Sequence, residues 1–163
     1  MPEDHGDTLV LDDEERELVQ LELAALLPAL TGERRRRYEQ LGEAVTEGSI
    51  PAQSVPLLES LLELALQTAR ARQLYRAEGE RILTGLFRRT PRGRELTELL
   101  DQVNRALVAL RGSTLSRAHI AMRTLGHFTL TIETDAATIT LGVRPDSVNV
   151  ESVAVGGSQG PAG

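Results

Sequence analysis

Cysteine is absent from this 163-residue chain, which excludes disulfides, thiolate metal sites and a cysteine nucleophile. Tryptophan is absent too, and Tyr38, Tyr75, Phe87 and Phe128 are the only aromatic residues. A core must therefore be assembled from Leu, Val, Ile and Ala, and a stacking pocket for a nucleotide or flavin is disfavoured. Lysine is missing: all 18 basic residues are arginine, most simply a coding bias. No apolar run approaches the roughly 18 residues needed to cross a membrane. The acidic start, residues 1–7, has neither the basic segment nor the apolar stretch of a secretory signal, so no membrane partner and a cytoplasmic location are expected.

What is present points to a folded chain, with 40% hydrophobic and 26% charged residues. The length suits one domain, or a helical part with a small appendage. Residues 1–11 read as an acidic flexible arm ending in the short apolar stretch Leu9-Val10-Leu11. Asp12 followed by Glu15 has the spacing of a capping box, and Leu18, Leu21, Leu26 and Leu30 support a first helix that Pro28 kinks or ends. A second helix starts at Thr31, carries Tyr38, Leu41 and Val45, and stops near Gly48.

The third helix is expected to be one long element over residues 55–89. At 100° per residue Leu57, Leu61, Leu64, Thr68, Ala71, Tyr75, Gly79, Ile82 and Leu86 fall within about 80° of arc. Their near seven-residue spacing is that of a coiled-coil seam. Leu58, Leu62, Ala65 and Ala69 form a second apolar row beside its first half, while Gly79 and Gly85 weaken its end, each costing about 1 kcal/mol against Ala. Thr90 and Pro91 restart the chain as a fourth helix ending near Gly112, with Leu96, Leu99, Leu100, Val103, Leu107 and Leu110 on its apolar face.

Beyond Gly112 the period changes to two. Phe128, Leu130 and Ile132 alternate with threonines, as do Ile139, Leu141 and Val143. Val148 to Val155 makes a further strand whose phase slips between Val150 and Val153, the mark of a bulge. Residues 115–125 fit a strand or a helix, and the strand is preferred. The last strand is either a free edge or an internal strand covered by the fourth helix. Residues 156–163 read as a flexible tail. The expected fold class is therefore α+β: about four helices over 12–111, then an antiparallel module of three or four strands over 112–155.

Chemistry-bearing patterns are sparse. His5, His119 and His127 lack metal-ligand spacing. No nucleophile elbow or phosphate-cradling glycine loop occurs. No catalytic residue, metal or cofactor is expected. Charge is more informative. Residues 1–33 hold ten acids and one arginine, a net of −9, whereas residues 34–111 hold fourteen arginines and ten acids, a net of +4.

Arg70 and Arg81 lie on one shoulder of the long seam, and Arg72 and Arg76 on the other. That is the placing of charges that select a helix partner, with the acidic first helix an obvious candidate. The leading reading is thus a non-enzymatic protein–protein interaction or assembly subunit, self-associating or one part of a complex. It would pair through Leu57, Leu61, Leu64, Tyr75, Ile82 and Leu86, with Arg70, Arg72, Arg76 and Arg81 setting partner and register. The alternative is a nucleic-acid-associated regulator using Arg34, Arg35, Arg36 and Arg37 together with Arg88, Arg89, Arg92 and Arg94. Overall acidity opposes it. A third is a small ligand-binding domain or enzyme with a pocket between the sheet and the fourth helix.

Overall fold

The structure is a computed structural model that describes residues 8–68 and 70–156. Residues 1–7 of the expected arm, with His5, and residues 157–163 of the expected tail lie outside the described part. The fold is α+β, with five α-helices followed by a four-stranded antiparallel sheet among the described residues. It divides into two units, Met1–Arg94 and Glu95–Gly163.

In the first unit, β1 (Leu9–Val10) precedes α1 (Asp13–Leu26), a single 3-10 turn at Leu27–Ala29, and α2 (Gly32–Glu47). The capping box forms at the start of α1: Asp12 Oδ1 accepts from the Glu15 amide at 2.8 Å, and Glu15 Oε2 from the Asp12 amide at 3.0 Å. Gly48 ends α2 in the left-handed conformation that glycine adopts without a Cβ clash (φ 76). The next two residues, Ser49–Ile50, form β2 and pair antiparallel with β1, Leu9 opposite Ile50.

The expected single helix over 55–89 is two helices. α3 (Val55–Gln67) ends at Thr68, whose hydroxyl bonds back to the Leu64 carbonyl at 2.6 Å, and α4 (Arg70–Arg89) packs on α3. A straight rod would leave its leucine stripe in water. Folded in two, the same stripe brings Leu61, Leu62 and Ala65 into one core with Ala71, Leu83 and Leu86. Each fully buried leucine contributes about 2 kcal/mol. α4 is itself bent, because Arg76 has φ 60 and ψ −165, a backbone region strained for any residue with a Cβ. The bend sets Tyr75 directly over Gly79, so a Cβ at 79 would collide with the tyrosine.

α5 (Pro91–Val108) crosses the boundary between the units, and in the second unit it packs on the sheet. The strands β3 (Leu115–Thr124), β4 (His127–Thr134), β5 (Ala137–Arg144) and β6 (Ser147–Val155) stand in sequence order. β3 and β6 are therefore the edges. The phase slip in β6 is a register shift that leaves Glu151 between Val150 and Ser152 without a β5 partner. Ile120, Leu130 and Leu141 share one cross-strand row, and Met122, Phe128 and Val143 another. These rows give the sheet one continuous apolar face. Val103 of α5 buries the centre of that face, Ile139 and Leu141, with Leu130, Val148 and Val150 around them.

The glycines of the helical region separate by what surrounds them. Gly93 lies against the Phe87 carbonyl with no room for a methyl group, whereas nothing approaches Gly85. Gly85→Ala is expected to raise stability by about 1 kcal/mol. Gly93→Ala is expected to lower it by about 2 kcal/mol. Denaturant melts of the two variants check the opposite signs.

Candidate interaction site

The residues singled out along the expected seam occupy different depths. Leu61 and Leu86 are buried in the first unit's core, and Leu57 and Tyr75 are half-buried against it. Ile82 is half-buried as well. Leu64 differs: it is 47% exposed. It lines a shallow depression of about 100 Å³ with Ala25 and Leu26 of α1, Leu61 of α3, and the charged pair Glu22 and Arg70 at its rim. Leu21, also exposed, lies one turn before Ala25 on α1 and lengthens the apolar strip.

The rim is a buried-carboxylate cluster. Glu22 sits on the same helix stripe as Glu15, Val19 and Leu23, so burying the stripe carries both acids inward. A carboxylate withdrawn from water needs charged or hydrogen-bonding partners. Glu22 accepts from the Tyr75 hydroxyl at 2.6 Å and from Arg70 Nε at 3.2 and 3.1 Å, one bond to each oxygen. Glu15 takes the Arg89 guanidinium at 2.5 Å, and Arg89 also donates to the Val10 carbonyl at 3.0 Å. Burial, together with the bond to Glu22, pushes the Tyr75 hydroxyl up to about 12.

Arg72 is bonded to Glu80 at 2.8 Å and Arg81 to Glu78 at 2.5 Å, both on α4 itself. The Arg81 bond holds Glu78 below the usual carboxylate range. Arg76 is exposed at the bend. Arg35 pairs with Glu39 and Arg36 with Glu33, while Arg92 pairs with Glu63 and its amide donates to Glu59 at 2.9 Å. Arg34, Arg37, Arg88 and Arg94 are exposed.

Among the described residues, no group of three or more His, Asp or Glu is placed to hold a metal ion, and no helix is long and apolar enough to cross a membrane. The buried acids are what sequence reasoning missed. Their signal was available: Glu15 and Glu22 fall on the apolar stripe of α1, at seven-residue spacing. No protein-family model, curated protein or solved structure matches this chain.

The cluster gives the alkaline limb of stability a source to test. The chain has neither cysteine nor lysine, and Tyr75, raised by burial and by its bond to Glu22, titrates later folded than unfolded above pH 10. Tyr75 in the folded state loses its proton near 12, later than an unfolded tyrosine near 10. The unfolded state therefore releases a proton first, and stability falls across that window, having been fully present below it. Tyr75→Phe is expected to flatten the fall between pH 10 and 12 in urea melts. An unchanged slope would remove Tyr75 as its origin.

Proposed function

We propose that the protein is a non-enzymatic interaction or assembly subunit. It pairs through the part of the helix seam that its own core leaves at the surface, Leu64 with Leu21, Ala25 and Leu26, beside Arg70. The exposure of Leu64, in a seam whose other leucines are at least half-buried, carries this reading. An apolar strip edged by a charged pair suits a partner helix, which would cover the leucines and meet the charges at the rim. The partner is a protein, a second copy or another member of a complex.

The nucleic-acid reading draws less support. Half of its eight arginines, Arg35, Arg36, Arg89 and Arg92, are already paired with the chain's own acids. Phosphate would have to displace those acids at each position.

Leu64→Asp tests the proposal cleanly, because an exposed position tolerates a charge at a cost within about 0.5 kcal/mol. Light scattering coupled to size exclusion is expected to give a multiple of the 17.8 kDa chain mass for the unmodified protein and the chain mass for the variant. Their melting temperatures should be nearly equal. A chain-mass reading for the unmodified protein, or one unchanged multiple for both, overturns pairing through this strip by self-association.

A further inference from the structure

The second unit offers a different surface, independent of the helix strip. Every residue of β3 is exposed, although the strand is ten residues long and bonds to β4 along one side. Ile120 and Met122 are each 63% exposed, yet they stand on the same sheet face as the buried Ile139 and Leu141. α5 covers the centre of that face and leaves the β3 side open. Leu125, in the turn after β3, is 92% exposed and extends the apolar area. The register shifts of β3 lie at its ends, between Leu115 and Arg117 and between Met122 and Thr124, so the stretch Arg117–Met122 keeps a regular ladder and a regular outer edge.

Exposed edges of this kind are open to strand addition. The charges decide what would add. On the opposite face β3 carries Arg117 and His119, then Arg123, and no acidic residue anywhere along it. Arg117 stands opposite Glu133 of β4, and Arg123 reaches Glu151 of β6 at 3.6 Å, so the acids lie inward of the strand and the outer side is cationic. An antiparallel second copy of β3 centred on Ile120 would set Arg117 against Arg123, which is unfavourable for directly opposed pairs. We infer that the β3 edge is a docking site for an extended segment of another protein in which apolar and acidic residues alternate. Its apolar side chains continue the face beside Ile120 and Met122, and its carboxylates meet Arg117 and His119.

A labelled seven-residue peptide of alternating valine and glutamate, with blocked ends, is a sufficient probe for fluorescence anisotropy against the full chain. The expected result is saturable binding with Kd on the order of 100 μM. It should weaken about tenfold for Ile120→Arg, for a peptide N-methylated along one edge, and for the valine–lysine counterpart. Circular dichroism should show Ile120→Arg folded, as its exposure predicts, and Leu64→Asp should bind like the unmodified chain. No binding of the glutamate peptide, or equal binding of the lysine peptide, overturns the inference. So does a chain that self-associates and loses that association with Ile120→Arg, since the edge would then be taken by a second copy.

Discussion

The arrangement of the helical unit depends on two carboxylates that cannot be buried alone. Glu15 and Glu22 lie on the apolar stripe of α1, and an unpaired charge at such depth would cost several kcal/mol. Arg89 and Arg70, with the Tyr75 hydroxyl, supply the compensation from opposite ends of α4. Those bonds tie α1 to α4 at two places about two turns of α1 apart. They also put the acidic first helix to use inside the chain, where it takes up Arg70 from the shoulder of the seam. A buried pair of this kind is weak evidence of net stability, because a well-packed apolar pair in its place could be as stable.

The hairpin of α3 and α4 follows the same logic on the apolar side. One leucine stripe over 55–89 can be buried by a partner chain or by folding upon itself, and here the two halves share one core. The bend at Arg76 and the close approach of Tyr75 to Gly79 accompany the placing of that tyrosine on Glu22. Of the leucines on the α3 part of that stripe, Leu64 stays at the surface beside the exposed Leu21 of α1.

Much of this was legible in the residues. The capping box at Asp12 and Glu15, the stop at Gly48, the restart at Thr90 and Pro91, and the alternation of β4 and β5 are all local signals, and local chemistry decides them. The break after Gln67 was not legible, because the leucine stripe runs through Thr68 and Ala71 without a proline or glycine to interrupt it. Tertiary burial decides that position, and it acts between residues far apart in sequence. β3 was ambiguous for a related reason. Its residues are exposed on both faces, so neither burial period is strongly written into them. The candidate surfaces were half legible: the apolar positions of the seam could be read, but not which of them the core would consume.

The two exposed apolar surfaces belong to different units and differ in kind, a helix strip edged by a charged pair and a sheet edge backed by cations. The helix strip rests on one condition, that the chain satisfies the acids of α1 with its own arginines. A double-mutant cycle on Glu22→Gln and Arg70→Gln, read by urea unfolding, tests that condition most directly. The account predicts a favourable coupling of roughly 1 kcal/mol or more between the two side chains. A coupling indistinguishable from zero would mean that Arg70 is not committed to Glu22 and is free for a partner after all.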